Sequence, residues 1–418
     1  MTTFTKIAGD ETPLIEVDAA KRLSKIDPMI YGGFTEHMGR CIYDGIYDPG
    51  SPLADAQGFW KDVLAALREL DIPVVRYPGG NFVATYHWQD GVGPRDKRPS
   101  RPELAWLGTG TNQFGTEEFM AWLDVLSEGK TQCVESYLCL NFGTGTLDTY
   151  YANLRRAHGD PEPYSITKED YAKKAAQWAK ALRLLDPDVR AARPARAPGT
   201  TTCSTGASAG STCTASTSTR RPATHVKNAT APLAAERAIQ ISAGLINLAR
   251  IENGISPDGT ARQDLLRLDE WNVWDPERAS GDKGAEEQNT LSDEHLVAPL
   301  WLFSRYTCAA GTVAAHVRPA WLQGALAETG APWLDASAAL GDDGFVNLAV
   351  VNISETEDFP VELKGVGTDV SLYVVSGSQL SSTNTEDKEE VGLSEGKWDG
   401  KGKYTFPKHT FTLLRWKP

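Results

Sequence analysis

The sequence predicts an α/β fold in which a (β/α)8 barrel of the TIM type is joined to an all-β sandwich. Short apolar runs alternate with segments of helical periodicity over residues 27–308, which is typical of a parallel sheet whose strands are connected by helices. From about residue 309 onward, short β-type runs follow one another between Gly, Asp and Ser clusters without helical periodicity. The chain has 418 residues, enough for a barrel of roughly 250 residues and a second domain.

Each element is predicted from its local pattern. A strand is predicted where an apolar run ends in glycine or polar residues, and a helix where apolar side chains recur every three or four positions. The predicted barrel strands are residues 29–34, 73–78, 135–142 and the first half of the stretch 265–274. The predicted helices are residues 55–70, 116–126, 167–185 and 232–254. The predicted sandwich strands are residues 312–318, 345–353, 359–363, 370–375 and 403–416. Only about half of the eight strands of a barrel are recognisable, so the predicted barrel is incomplete.

One segment inside the predicted barrel has an unusual composition. Residues 190–225 contain no Leu, Ile, Val, Met or aromatic residue and are rich in Ser and Thr. Such a segment cannot bury apolar surface, so a disordered or solvated insert is one interpretation. Loops longer than about 12–15 residues are uncommon in compact domains. A frame-shifted or intron-derived stretch of translation is therefore the other interpretation.

Composition limits the possible partners and the location of the protein. The formal net charge of −13 argues against nucleic acid and against an anionic membrane surface as partners. Residues 1–17 show no basic segment followed by an apolar run, so no secretory signal is predicted and a cytoplasmic location is expected. The six cysteines have no metal-ligand spacing, so we expect free thiols, no metal and no cofactor.

The stretch 265–274 contains the strongest candidate for chemistry. Its apolar first half is followed by Asp269 and Glu270, with Trp271 and Trp274 close by. In barrel enzymes the catalytic side chains lie where the strands end. Because indole faces pack on the apolar side of a sugar ring, this combination favours sugar chemistry. The alternative interpretation is an acidic residue at a strand end beside ordinary core tryptophans.

Five motifs in this order resemble those of the α-L-arabinofuranosidases of glycoside hydrolase family 51. The resemblance covers most of residues 25–189 and 226–300, and the C-terminal sandwich more loosely. Each motif alone is weak, whereas five in order are specific. The motifs are Phe-Thr-Glu-His-Met-Gly-Arg at 34–40, Val-Arg-Tyr-Pro-Gly-Gly-Asn-Phe at 75–82, Trp-Gln-Asp-Gly-Val-Gly-Pro at 88–94, Asn-Phe-Gly-Thr-Gly-Thr at 141–146 and Asp-Glu-Trp-Asn-Val-Trp at 269–274.

The resemblance implies a catalytic barrel over residues 27–308 and a sandwich built from residues 1–26 and 309–418. It also implies a retaining hydrolase that releases terminal α-L-arabinofuranosyl groups from arabinoxylan, arabinan or arabino-oligosaccharides, and a possible homo-oligomer. The matching positions make Glu270 the nucleophile, which would form a covalent glycosyl-enzyme. The residues matching the arabinose-binding positions are Glu36, Arg76, Asn81 and, as the aromatic wall of the pocket, Trp106.

The sequence departs from the family pattern at the general acid. A retaining glycosidase needs a second carboxyl group about 5–5.5 Å from the nucleophile. The family carries it in a Gly-Asn-Glu triplet, which does not occur in this sequence. Three alternatives follow: an arabinofuranosidase whose gene model lost exons, an inactive remnant that at most binds arabinosides, or a different barrel glycosidase such as a xylosidase or endoglucanase.

Overall fold

The computed structural model describes the larger part of both predicted domains. The described residues are 3–4, 12–23, 25–79, 82–103, 108–141, 168–185, 193–194, 211–213, 217–218, 239–241, 243–244, 247–248, 251–252, 254, 266–268, 273–274, 314–318, 333–382, 384 and 388–418. They divide into two compact units. One unit includes the described residues of 27–141. The other includes those of 1–26, 168–274 and 314–418.

The elements are numbered here in chain order. The strands are β1 (Thr3–Phe4), β2 (Leu14–Asp18), β3 (Gly33–Phe34), β4 (Val74–Tyr77), β5 (Arg101–Glu103), β6 (Gly108–Gly110), β7 (Glu135–Leu138), β8 (Arg193–Pro194), β9 (Ser211–Cys213), β10 (Thr217–Ser218), β11 (Leu266–Leu268), β12 (Val273–Trp274), β13 (Ala314–Arg318), β14 (Leu334–Leu340), β15 (Val346–Asn352), β16 (Phe359–Lys364), β17 (Val370–Gly377), β18 (Val391–Trp398), β19 (Lys403–Phe406) and β20 (Thr410–Trp416). The α-helices whose bounds are described are α1 (Lys61–Glu69), α2 (Thr116–Ser127) and α3 (Lys168–Leu185). The 3-10 helices are Pro28–Tyr31, Phe82–Ala84, Trp88–Gly91 and Arg95–Lys97.

The first unit is built on a parallel sheet in the order β3-β4-β7. Helices α1 and α2 contribute to the core on one side of this sheet, where Val75 and Tyr77 of β4 pack with Leu64, Phe119 and Trp122. Tyr77 and Phe119 are stacked with their ring centroids 4.6 Å apart. Because these side chains are almost fully buried, each contributes about 1.5–3 kcal/mol of transfer free energy. The predicted alternation of strands and helices is confirmed over β3 to β7.

Two predicted boundaries in this unit are wrong for local reasons. Residues 29–31 belong to a 3-10 helix rather than a strand, because the Asp27 side chain accepts a hydrogen bond from the Met29 N–H and a proline begins the turn. Helix α1 begins at Lys61 rather than at residue 55. The Asp55 carboxylate accepts the N–H groups of Gln57 and Phe59 and holds this segment in a turn.

The second unit contains two five-stranded sheets with an apolar core. One sheet, β14-β15-β20-β17-β18, is antiparallel throughout. The other, β1-β13-β2-β16-β19, is mixed, since β16 pairs with the N-terminal strand β2 in parallel. Side chains of both sheets form the core, with Ile15, Leu348, Phe406, Leu414 and Trp416 almost completely buried. The C-terminal part of the chain is therefore rich in β-structure, as predicted.

Two strands of the antiparallel sheet are not predicted from the sequence. Strand β14 has the sequence Leu-Asp-Ala-Ser-Ala-Ala-Leu, whose small side chains give a weak hydrophobic pattern although most of them are buried. Strand β18 lies at the edge of its sheet and is largely exposed, so its polar sequence carries no alternation.

The remaining described strands form two small parallel sheets, β8-β9-β11 and β10-β12. Strand β11 lies in the predicted strand at the start of the 265–274 stretch. Strands β8, β9 and β10 lie within residues 190–225, where the sequence predicts no packed structure. Main-chain ladder hydrogen bonds need no apolar side chains, which explains this difference. None of the helices in the described residues is long and apolar enough to cross a membrane.

Candidate active site

The candidate site lies at the carboxyl edge of the β3-β4-β7 sheet. The chain leaves β3 through Thr35 and Glu36, leaves β4 through Pro78 and Gly79, and leaves β7 toward Asn141. The ladder continues past the strands, since the Thr35 N–H donates to the Arg76 carbonyl over 2.9 Å. Carboxyl ends of parallel strands are where α/β proteins bind their ligands.

Glu36 and Arg76 form a buried ion pair at this edge. The Glu36 Oε2 and Arg76 Nη2 atoms are 3.4 Å apart, and the two side chains are 8% and 5% exposed. Phe34 is the register partner of Arg76 on β3, and its ring lies beneath the guanidinium at 4.8 Å. A guanidinium and a carboxylate together supply both donors and acceptors. The pair can therefore bind neighbouring hydroxyl groups of a neutral ligand.

Gly79 permits the close turn above this pair. Its φ is +60°, a conformation that glycine adopts without strain. A Cβ atom at this position would lie 2.6 Å from the Arg76 Nη2 atom. The main chain after β4 therefore passes directly against the guanidinium, and a larger residue would displace it.

His37 points into a group of aromatic rings. Its ring stacks on Phe82 with centroids 4.2 Å apart. The rings of Tyr43, Tyr77 and Tyr86 lie at 5.8, 5.7 and 6.1 Å. This burial lowers the pKa of His37 to about 3, so the ring is neutral at physiological pH. Burial, followed by the neighbouring Tyr86 hydroxyl, raises the pKa of Tyr77 well above its ordinary value.

A thiol also lies beside the ion pair. Burial, and then the negative charge of Glu36, raise the pKa of the Cys41 thiol. The Thr35 hydroxyl donates to the Cys41 carbonyl over 3.2 Å. Cys41 therefore helps to fix the loop after β3 and carries a protonated, unreactive thiol.

Polar contacts hold the loops around the site. The Asn141 Nδ2 atom donates to the Tyr86 carbonyl over 2.8 Å, which connects the end of β7 with the segment after β4. Arg98 makes a two-pronged ion pair with Glu118 of α2, with distances of 2.8 and 3.0 Å. Burial alone would raise the pKa of Glu118, but hydrogen bonds from Arg98, Gly115 and Arg95 lower it overall.

The structure brings together two of the five predicted site residues, Glu36 and Arg76. The other three, Asn81, Trp106 and Glu270, lie outside the described residues. Sequence reasoning did not single out His37 or Asn141. His37 lies just past the carboxyl end of a predicted parallel strand, and that position is the signal that could have indicated it. Among the described residues, no group of three His, Cys, Asp or Glu side chains is placed to hold a metal ion.

Comparison with known proteins identifies the family. The family described as "Alpha-L-arabinofuranosidase 1 domain" matches residues 66–136. The "Probable alpha-L-arabinofuranosidase C" of Aspergillus fumigatus is 47% identical over all of this chain and all of its own.

Two solved structures share the fold. The α-L-arabinofuranosidase of Thermotoga maritima in its arabinose complex superimposes with a TM-score of 0.76 at 25% identity, over 97% of this chain and 100% of its own. A family 51 α-L-arabinofuranosidase of Bifidobacterium longum has a TM-score of 0.78 at 21% identity and covers 99% and 100%. The fold and the relatives define a glycoside hydrolase. The chain belongs to the α-L-arabinofuranosidases of glycoside hydrolase family 51.

The alignment with the Aspergillus fumigatus relative also shows how many residues of that protein have no counterpart in this chain. It extends over 523 positions and covers both proteins completely. That is 105 positions more than the 418 residues of this chain. The relative therefore carries 105 residues that have no counterpart here.

Proposed function

We propose that this chain is a retaining glycoside hydrolase that releases terminal α-L-arabinofuranosyl groups from arabinoxylan, arabinan or arabino-oligosaccharides. The observation that carries the proposal is the buried Glu36–Arg76 pair at the ends of neighbouring parallel strands. The pair is neutral overall, which suits an uncharged sugar. Its carboxylate accepts hydrogen bonds from sugar hydroxyls and its guanidinium donates to them. Asn81 would add a further hydrogen bond, and Trp106 would form an aromatic wall.

The proposed mechanism is a double displacement. The carboxylate of Glu270 attacks the anomeric carbon, the glycosidic bond breaks, and a covalent arabinosyl-enzyme forms. Water then attacks the same carbon and releases arabinose with its original configuration. Protonation of the leaving oxygen requires a second carboxyl group. The family triplet that carries this group is absent from the sequence.

A second candidate function is binding of arabinosides without turnover. Two observations favour it: the missing Gly-Asn-Glu triplet and the 105 residues of the relative that lack counterparts. General-acid assistance contributes about 10²–10⁴-fold to rate. Loss of the acid would leave the sugar-binding edge of the sheet and remove most of the turnover.

The proposed fold is a (β/α)8 barrel over residues 27–308 with a sandwich of residues 1–26 and 309–418. The parallel strands β3, β4 and β7, with α1 and α2 on one face, support the barrel. The pairing of β2 with β13 and β16 supports an N-terminal contribution to the sandwich. We further propose a cytoplasmic protein that needs no cofactor and assembles as a homo-oligomer.

The deciding experiment measures turnover and binding on the same 418-residue protein. Hydrolysis of an aryl α-L-arabinofuranoside is followed for the wild type and for Glu270→Gln, and L-arabinose binding is followed by calorimetry. Turnover in the wild type that falls by several orders of magnitude in Glu270→Gln supports the enzyme. Binding without turnover supports the second function.

A mechanism-based arabinoside inactivator, with peptide mapping, tests the nucleophile directly. A label on Glu270 is expected, and a label on another side chain would refute the assignment. If the wild type neither binds arabinose nor turns over the arabinoside, both candidate functions are wrong.

A further inference from the structure

Glu36 and His37 are neighbours in the chain with opposite environments. The Glu36 carboxylate lies against Arg76, whereas the His37 ring lies among the aromatic residues of the candidate site. The chain bends at His37, just after the end of β3, and the two side chains contact different partners. The peptide that joins Glu36 to His37 is therefore held from both directions, and the position of one side chain constrains the other.

Hydrogen-bond chemistry favours a proton on the Nε2 atom of His37. The Tyr77 hydroxyl is 3.2 Å from the Phe114 carbonyl oxygen and 3.3 Å from the His37 Nε2 atom. A carbonyl oxygen only accepts, so both contacts are hydrogen bonds when Tyr77 donates its hydroxyl proton to Phe114 and accepts from His37. In that arrangement the imidazole proton lies on Nε2.

The residue on the other side of Glu36 is also fixed. The Thr35 N–H donates to the Arg76 carbonyl over 2.9 Å, and the Thr35 hydroxyl donates to the Cys41 carbonyl over 3.2 Å. The Met38 N–H donates to the Glu36 carbonyl over 2.9 Å. With His37 anchored to Tyr77, the backbone of Glu36 is held at its preceding and its following residue.

The surroundings of His37 fix the orientation of its ring. Phe82 covers one face of the ring, and three tyrosine rings surround it. These contacts orient the imidazole, whose proton on Nε2 is directed at Tyr77. A ring held in this way can place the residue that precedes it in the chain, Glu36.

We propose that His37 is a positioning residue, whose Nε2–H hydrogen bond to Tyr77 holds the carboxylate of Glu36 in the place where it receives arabinose. This inference rests on the proposed function of Glu36 as a sugar-binding residue. A displaced Glu36 carboxylate would lose a hydrogen bond to a sugar hydroxyl, and the loss of one hydrogen bond to a charged group weakens binding by about 10- to 100-fold. We therefore expect loss of the His37–Tyr77 hydrogen bond to weaken arabinose binding by up to about this factor.

Two substitutions separate the hydrogen bond from the packing. His37→Phe keeps a flat ring against Phe82 and removes the donor. His37→Gln removes the ring and offers an N–H donor at a similar distance from the backbone. For wild type and both variants, the Kd of L-arabinose is measured by calorimetry and the thermal midpoint by circular dichroism. Where the protein turns over an aryl arabinofuranoside, kcat and KM are measured separately. Tyr77→Phe, which removes the acceptor, is the matched variant on the other side of the bond.

The expected result is a raised Kd in His37→Phe and Tyr77→Phe, with binding largely restored in His37→Gln. A purely structural role would instead lower the thermal midpoint of His37→Gln at least as much as that of His37→Phe and would restore no binding. That pattern overturns the inference, as does a wild-type Kd in His37→Phe. A wild type that fails to bind arabinose overturns the proposed function, and this inference with it.

Discussion

Substitution of Arg98 by methionine tests how firmly the loop beside the site is attached to α2. The Arg98 side chain is 2% exposed. Its Nε atom donates to the Gly93 carbonyl over 2.9 Å, and its Nη1 atom donates to the Asn112 carbonyl over 3.0 Å. Its two terminal nitrogens also form the ion pair with Glu118. Methionine fills a similar volume and makes none of these bonds.

The expected loss of unfolding free energy in Arg98→Met depends on the hydrogen bonds that Glu118 retains. Breaking a buried ion pair by removing one partner costs about 3–5 kcal/mol, because the other charge remains buried. Glu118 retains the Arg95 Nε atom at 3.1 Å and the Gly115 N–H at 2.8 Å, so its charge stays partly compensated. We therefore expect the lower end of that range, about 3 kcal/mol. Against a typical stability of about 5–15 kcal/mol, this is a large loss.

Urea unfolding followed by circular dichroism measures this loss. Arg101→Met is the matched control, since Arg101 pairs with Asp90 at 2.9 Å but its side chain is 61% exposed. Exposed pairs contribute little, so the control should unfold at the wild-type urea concentration. Equal midpoints for Arg98→Met and Arg101→Met would refute the reasoning from burial.

Three further predictions concern the candidate site and the pH dependence of stability. Gly79→Ala should weaken arabinose binding and lower the thermal midpoint, because a methyl group 2.6 Å from the Arg76 Nη2 atom displaces the guanidinium and φ is +60°; unchanged calorimetry and melting would contradict it. The pKa of His37 in the folded protein, about 3, lies below the usual value of 6.5. The stability that neutral His37 contributes is therefore complete above pH 6.5 and is lost as the pH falls toward 3, by up to about 5 kcal/mol relative to His37→Gln. Urea midpoints of wild type and His37→Gln that change in parallel across this pH window would refute the low pKa. The pKa of Glu118 is lowered in the folded protein, so wild type should be more stable than Glu118→Gln above the usual pKa of 4.5, and this advantage should decrease as the pH falls below it. A stability difference between the two proteins that stays constant in acid would show that the carboxylate is not stabilised in the folded state.

Helices and strands are predicted correctly from the sequence where the local residue pattern is sufficient to define them. Helix α2 is predicted within one residue of its observed end because its apolar stripe is regular and Glu118 bonds back to the Gly115 N–H at its start. Strand β4 is predicted because it is a short apolar run ended by proline and glycine. Strand β18 is not predicted, because an exposed edge strand is defined by its pairing with β17 rather than by its own composition.

The site is less predictable because its contacts join distant parts of the chain. Glu36 and Arg76 are 40 positions apart, and only the family resemblance pairs them. The register of β3 and β4 brings them together, and register depends on the folded sheet. The ring group around His37 uses Tyr43 from a loop and Phe82 from a one-turn 3-10 helix, and neither segment is long enough for a periodic pattern to predict side-chain direction.

We expect arabinose binding and turnover to depend on different parts of this chain. Among the described residues, the contacts of the proposed sugar-binding edge, from the Glu36–Arg76 pair to the Asn141 hydrogen bond, lie within residues 27–141. Turnover by double displacement needs two carboxyl groups, and the sequence offers Glu270 without the family triplet for the second. The 105 residues without counterparts therefore bear on rate far more than on affinity. If the missing segments of the Aspergillus fumigatus relative were restored, kcat should rise by about 10²-fold or more, while the Kd of L-arabinose should change little. A Kd that falls in parallel with the rise in kcat would show instead that the edge of the sheet is incomplete without those segments.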